Sequence, residues 1–385
     1  MTRDNDIEKA GFNTKLVHGD DSSARVPDVV QPINVSTTFR YNDDPASLVA
    51  ALDLEPGSGI LDNLIYSRLS HPNSEKLEQV FEGILDGHVV MYSSGLAAFM
   101  AMLTHYNPKV IAIGQGYHGC HGIADIFTRL NGLKQIGLDD DYSQLGPGDI
   151  VHLETPVNPE GVSFDIKHYA EKAHARGAYL VVDSTLAPPP LQEPFKFGAD
   201  MIMHSATKFF GGHSDLLAGC LVTKDLDIKH KLIEDRVYLG TNVANLESFL
   251  LLRSLRTFKI RLLTQSQSAQ QLVQYLQNHI KEFSALSAVH HSSLQKDAYI
   301  KEQLPIGHSP VFSIDVDSPE TARQLPYRLK YFHHATSLGG VESLVEWRSM
   351  TDKSVSQTLV RVSVGIEDVE DLIQDFHQAL SGLSK

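Results

Sequence analysis

YLVVDSTLAPPPLQEPFKFGADMIMHSATKFFGGHSDLLAGCLVT, residues 179–223, holds three short apolar runs, and chemistry-bearing residues end two of them. YLVVD (179–183) closes on Asp183, after which Ser184-Thr185 leads into Leu186-Ala187-Pro188-Pro189-Pro190, where no helix can continue. DMIMH (200–204) runs into Ser205-Ala206-Thr207-Lys208 and then Phe209-Phe210-Gly211-Gly212, before GCLVT (219–223). Continuous apolar runs of this length are the pattern of strands covered on both faces, as in a parallel sheet.

The same alternation extends upstream through HVVMY (88–92), VIAIG (110–114) and DIVHLE (149–154), with amphipathic segments such as DIKHYAEKAHARGA (165–178) between. The expectation is an α/β fold with a mostly parallel sheet, binding ligands at the carboxyl ends of its strands. A long helical pattern from about 240 to 284, the strand-like SPVFSIDV (309–316) and TLVRVSVGI (358–366), and the helix EDVEDLIQDFHQAL (367–380) predict a second, smaller α/β domain. Residues 1–60 are rich in turn signals (DDSSARVPDVVQP, YNDDP) and read as an extended arm. The expected division is 1–60, 61–235 and 236–385.

At 385 residues and 42% hydrophobic, the chain is long enough for two domains with sizeable cores. Its 47 acidic against 33 basic residues give a net charge of −14, which offers no global field for nucleic acid or anionic lipid. Two cysteines, Cys120 and Cys220, allow neither a disulfide framework nor a cysteine-rich zinc site. No apolar run is long enough to span a membrane, and MTRDNDIEKA lacks the marks of a targeting segment; the expected location is cytoplasmic.

A lysine beside a strand end is costly unless paired or desolvated for use, and a desolvated lysine is what carbonyl chemistry requires. Lys208 has company. Ser93-Ser94-Gly95-Leu96 follows HVVMY and opens a helix whose amides suit an anion. Tyr66-Ser67-Arg68 offers a cation and hydroxyls, and Glu154-Thr155-Pro156-Val157-Asn158-Pro159 ends another strand. Two rivals use other residues. Gly114-Gln115-Gly116-Tyr117-His118-Gly119 is a formal GxGxxG, with Asp139 to Asp141 about 20 residues on, which would suit an NAD-dependent dehydrogenase. His118-Gly119-Cys120-His121, His290-His291 and His333-His334 look like metal ligands but lack the spacing of known metal motifs, so no metal is expected.

Together these segments resemble the Cys/Met-metabolism (trans-sulfuration) family of pyridoxal-phosphate enzymes, nearest in motif order to its cystathionine γ-synthases and γ-lyases. The resemblance rests on SATKFFGGHSD (205–215), YSRLSHPNSEKLE (66–78), SSGLAA (93–98), ETPVNP (154–159), VVDSTLAPP (181–189), SLGGVESL (337–344) and RVSVGIEDVEDLI (361–373), in family order along essentially the whole chain.

It implies an aspartate-aminotransferase-like (type I) fold with pyridoxal 5′-phosphate as cofactor. Lys208 would hold the cofactor as an imine and then move protons. Asp183 would keep the pyridine nitrogen protonated, and Tyr117 would stack on the ring and protonate a leaving group. Ser94, Gly95, Leu96, Ser205 and Thr207 would hold the phosphate, helped by Tyr66 and Arg68 of a neighbouring subunit, so that the site requires a homodimer and the family tetramer is expected. Arg361 would clamp the substrate α-carboxylate with Ser337 and Asn158. The departures lie elsewhere. Tyr-Gly-Gly-Thr is replaced by Tyr117-His118-Gly119-Cys120, and Asp-Asn-Thr by Asp183-Ser184-Thr185. The glutamate common before Ser-Leu-Gly-Gly is Thr336, and His-Pro-Ala-x-Met-Thr-His is replaced by Glu346-Trp347-Arg348-Ser349-Met350-Thr351-Asp352.

The expected activity is trans-sulfuration at the γ-carbon of cystathionine or an O-acylhomoserine, by γ-replacement or γ-elimination. A β-eliminating C–S lyase and a methionine γ-lyase are the alternatives within the family. A dehydrogenase and a catalytically silent homologue are the alternatives outside it.

Overall fold

The computed structural model describes residues 7–23, 27–53 and 64–383. Its first part comprises helices α1 (Phe12–His18) and α2 (Pro72–Leu85), strand β1 (His88–Tyr92), α3 (Gly95–Tyr106), β2 (Val110–Ile113), α4 (His118–Asn131), β3 (Lys134–Ile136) and β4 (Ile150–Glu154). Next come α5 (Ile166–His174), β5 (Tyr179–Asp183), β6 (Met201–His204), β7 (Gly219–Thr223), α6 (Leu226–Leu239), α7 (Asn245–Leu255) and α8 (Phe258–Asn278). The remainder is β8 (Leu286–His290), α9 (Ala298–Gln303), β9 (Val311–Val316), α10 (Pro319–Arg328), β10 (His333–His334), β11 (Leu344–Trp347), β12 (Leu359–Ser363) and α11 (Val369–Ser381).

The first sheet has the order β1-β7-β6-β5-β4-β2-β3. The run from β6 to β3 is parallel, and β7 lies antiparallel between β1 and β6. The expected mostly parallel α/β sheet is therefore present. Alternate residues of one strand enter different cores: Val89 and Met91 of β1 join one cluster, Val90 and Tyr92 the other. Leu180 and Val182 likewise face away from Val181 in β5. That two-sided burial is why these strands read as unbroken apolar runs.

The second sheet, β10-β11-β12-β9-β8, builds its own core from Phe312, Ile314, Val360 and Val362 against α8 and α11. The single helical pattern expected from about 240 is broken into α7 and α8 at Arg256-Thr257. There Arg256 turns its guanidinium to the carbonyls of Leu16 and Val17 (both 2.6 Å) and to the Asp20 carboxylate (2.7 and 2.9 Å), pinning the break to α1.

Two glycines bring backbones together around the future site. A Cβ on Gly219 would meet the Ser94 carbonyl oxygen at 2.3 Å and Gly95 Cα at 2.7 Å, so β7 packs directly on the start of α3. Gly339 has φ +84°, and a Cβ there would meet the Phe209 nitrogen at 2.8 Å, so the loop before β11 lies against the backbone that follows Lys208.

Candidate active site

The carboxyl ends of the parallel strands meet at one edge of the first sheet. The register pairs Glu154 with Asp183 and Asp183 with Met203 across β4, β5 and β6. Ser205 to Lys208 continue from β6, and Ser93-Ser94 leads from β1 into α3. A cavity of 630 Å³ opens there. Its lining includes Ser94, Gly95, Leu96, Tyr117, Asn158, Asp183, Ser205, Thr207, Lys208, Thr336, Ser337 and Arg361, so twelve residues singled out from the sequence come together. Tyr66 and Arg68 do not line it. Arg68 Nη1 instead donates to the Val237 carbonyl at 2.8 Å, and Tyr66 is exposed.

Lys208 Nζ donates to Ser337 Oγ at 2.9 Å. Burial pushes the amine down to about 8, helped by Arg361 and Arg348 and opposed by Glu346. An amine so placed is mostly protonated at neutral pH but holds a far larger neutral fraction than an ordinary lysine, so it can act as nucleophile and base. Arg261 of α8, itself buried, donates to the carbonyls of Phe209 (2.9 Å) and Phe210 (3.3 Å) and so fixes the turn after Lys208. Ser337 has φ +74°, a left-handed conformation that a serine adopts at a cost of about 1 kcal/mol. The turn leaves its carbonyl accepting from Arg361 Nη2 at 2.7 Å. Arg361 Nη1 donates to Asn158 Oδ1 at 3.0 Å, and Nη2 pairs with Glu346 Oε2 at 2.6 Å. Arg361 thus stands buried with its fork held on three sides, beside the lysine.

Asp183 Oδ1 accepts from the Thr185 nitrogen (3.0 Å) and hydroxyl (2.6 Å), while Oδ2 has no partner among the described residues. Glu154, which sequence reasoning treated only as turn chemistry, is buried beside it. Glu154 accepts the N–H of Tyr117 at 2.8 Å and that of Asn158 at 2.7 Å, so one carboxyl sets two residues of the site. Burial raises both carboxyls above the usual range; Asp183 raises Glu154 further, and the hydrogen bonds oppose. A proton is therefore retained in the folded state that the unfolded chain releases above about pH 4.5. The sign follows: this stabilisation is complete below the unfolded value and is lost as pH rises through the raised folded values. In protein freed of any bound ligand, wild type should lose thermal stability relative to Glu154→Gln between about pH 5 and about pH 8. A difference in melting temperature that stays constant over that range would contradict this assignment.

The α3 N-terminus supplies the anion end. Ser94 Oγ caps the helix by accepting the Ala97 N–H at 3.0 Å, so its hydroxyl is engaged while its backbone lines the cavity. The opening N–H groups of a helix have no intrahelical acceptor and carry its positive dipole end. Thr207 Oγ1 exchanges hydrogen bonds with Ala218, whereas Ser205 Oγ has no partner among the described residues. Together these groups can hold a phosphate at α3, a carbonyl carbon at Lys208, a cationic ring nitrogen at Asp183 and a carboxylate at Arg361.

The formal GxGxxG does form a strand–turn–helix from β2 to α4, but its Tyr117 N–H is taken by the Glu154 carboxylate, where a dinucleotide phosphate would need it. The turn is used to place Tyr117, whose ring lies over Gly119: a Cβ there would meet Tyr117 Cε1 at 2.5 Å. Cys120 is buried and its thiol pushed well up by burial, which makes it unreactive. The paired histidines have separate partners: His121 bonds the Gly114 carbonyl, His290 the Asp315 carboxylate and His291 the Ser309 carbonyl. Among the residues that sequence reasoning did not assign, Glu154, Thr185, Arg348 and Thr351 also line the cavity.

A family profile described as Cys/Met metabolism PLP-dependent enzyme matches residues 13–381. A cystathionine gamma-lyase of Dictyostelium discoideum is 32% identical over 403 residues, covering 99% of this chain and 99% of its own. A cystathionine beta-lyase of Lactococcus lactis subsp. cremoris is 30% identical over 395 residues, covering 96% and 98%. The crystal structure of an apo methionine gamma lyase from Micromonospora echinospora superposes with a TM-score of 0.84 at 32% identity, covering 97% of this chain and 99% of that one.

Proposed function

Because this chain belongs to the Cys/Met metabolism PLP-dependent enzyme family, we propose that it acts at the γ-carbon of cystathionine or an O-acylhomoserine, by γ-replacement or γ-elimination. The site's residues fit pyridoxal phosphate. Asp183 offers a buried oxygen without a partner for the ring nitrogen, Lys208 a desolvated amine for the aldehyde, and α3 with Ser205 and Thr207 a cradle for the phosphate. When bound, the cofactor supplies an electron sink that stabilises a carbanion at the substrate Cα.

The observation that carries the γ-carbon reading is the line Lys208–Ser337–Arg361. It sets one amine beside the arginine that would clamp the α-carboxylate, where it would reach both Cα and Cβ of a bound substrate. Chemistry at Cγ requires protons to leave both carbons, and Lys208 would take each in turn. Arg361, steadied by Asn158 and the Ser337 carbonyl, would fix the α-carboxylate so that Cα faces the amine. Tyr117, 40% exposed at the cavity, would give a proton to the departing sulfur or oxygen. A thiol then adds, or water completes release of a 2-oxo acid and ammonia.

The proposal extends to assembly. Tyr66 and Arg68 would serve a neighbouring subunit's phosphate, which makes a homodimer the smallest intact unit and a tetramer the expected one. Their absence from their own cavity supports this, as do the exposed apolar residues of the preceding arm, among them Val29, Val35 and Leu52. Among the described residues no helix is long and apolar enough to cross a membrane. The two buried free thiols support a cytoplasmic location.

Product identification tests the reading. L-cystathionine should yield 2-oxobutanoate, or an O-acylhomoserine with cysteine should yield cystathionine. Pyruvate as the sole 2-oxo acid from cystathionine, with no reaction of the esters, would overturn it in favour of β-elimination.

A further inference from the structure

Beyond Arg361 the cavity holds a second buried cation. Arg348 is 3% exposed and lines the same cavity. Its contacts to acids are long: 3.3 and 3.4 Å to Glu346 and 3.5 Å to Asp352 Oδ2. Both acids have closer partners. Glu346 Oε2 is taken by Arg361 at 2.6 Å and Oε1 by the Thr351 hydroxyl at 2.6 Å. Asp352 Oδ1 accepts the Ser354 nitrogen at 2.9 Å and hydroxyl at 2.6 Å. The short bond that Arg348 makes is to a neutral group, Thr351 Oγ1, at 2.8 Å, and its Nε is buried without a partner among the described residues. A guanidinium paired with a carboxylate usually closes to about 2.7–2.9 Å in a two-pronged contact. That contact is open here.

The neighbours point the same way. His118 Nδ1 lies 3.5 Å from Arg348 Nη2, and Thr336 and Thr351 supply hydroxyls. Of the carboxylates near this lining, Glu154 and Asp183 sit at the strand ends, and Asp352, which lines the adjoining cavity, has one oxygen taken by Ser354. His118 and Thr351 also line an adjoining cavity of 1030 Å³, which leaves room for a long substituent.

We propose that Arg348 is a second anion subsite, which binds a carboxylate at the far end of the substrate's leaving group. The preferred substrates are then amino acids whose side chain ends in a second acid, and a distal ammonium adds nothing to their recognition. This rests on Arg361 as the α-carboxylate clamp, and it separates two buried arginines that share one glutamate into a proximal and a distal role.

Calorimetric titration of the holoenzyme with unreactive amino acids tests it without turnover, so failure of the γ-carbon reading would leave the result intact. The probes are L-2-aminosuberate, which ends in a carboxylate, L-2-aminooctanoate, which does not, and 2,7-diaminosuberate, which adds an ammonium. Aminosuberate should bind at least about tenfold tighter than aminooctanoate, and diaminosuberate no tighter than aminosuberate. Arg348→Gln should remove the preference while leaving aminooctanoate affinity within about twofold, and Arg348→Lys should keep part of the preference. Equal binding of the acid and its neutral counterpart by wild type, equal weakening of both by Arg348→Gln, or no binding of any probe would each overturn the proposal.

Discussion

Lys208→Ala should lower kcat/KM for any amino-acid substrate by about 10²–10⁴-fold or more, the range lost when a positioned proton-transfer group is removed. The reason is geometric. Lys208 Nζ is held by Ser337 beside Arg361, and among the described residues Lys208 is the one lysine in the cavity's lining. The Lys208 amine is brought toward neutrality by burial, and Ala offers no substitute. The variant should fold, because removing a half-buried amine also removes the cost of desolvating it. A small primary amine added to the assay should restore part of the rate. A kcat/KM within tenfold of wild type would take the proton-transfer role away from Lys208.

Arg361→Ala should cost on the order of 2–4 kcal/mol in kcat/KM, expressed mainly as a raised KM. Two effects act together. The α-carboxylate loses a buried guanidinium, and Glu346 loses its closest cation, keeping the longer contacts to Arg348. Arg361→Lys should recover little, because one ammonium cannot reach Asn158 Oδ1, the Ser337 carbonyl and a carboxylate in the same plane. Double substitution with Glu346→Gln separates the effects: if the loss came from the stranded glutamate, the double variant would regain most of it. Near-normal KM in Arg361→Ala would remove it from substrate binding.

The sequence made the first sheet legible because β1, β4, β5, β6 and β7 are buried on both faces or nearly so. Three of the strands it did not reveal lack that property. β3 is three residues with one buried, β8 mixes buried and exposed positions at a sheet edge, and β10 is a two-residue pair held by β11. The break between α7 and α8 was equally hidden, since Arg256 takes its contacts from residues some 240 positions away. At the site, Lys208 and Asp183 were legible because small polar residues follow strand ends, and the motif order placed Arg361 and Ser337 beside them. Glu154 was not, because its role comes from register: parallel pairing aligns it with Asp183, and two backbone N–H groups find it. Arg348 and Glu346 stood out only as departures from a familiar pattern. Their placement depends on a cross-strand pairing, Glu346 with Arg361, that no local spacing announces.

The cavity at the carboxyl edge of the first sheet is the proposed cofactor site, with Lys208 as its anchor. Borohydride reduction of the purified holoenzyme, followed by peptide mapping, tests it most directly. A single reduced pyridoxyl-phosphate adduct, on the peptide containing Lys208, is expected. An adduct on another lysine, or none from a protein that carries the cofactor's visible absorbance, would contradict it.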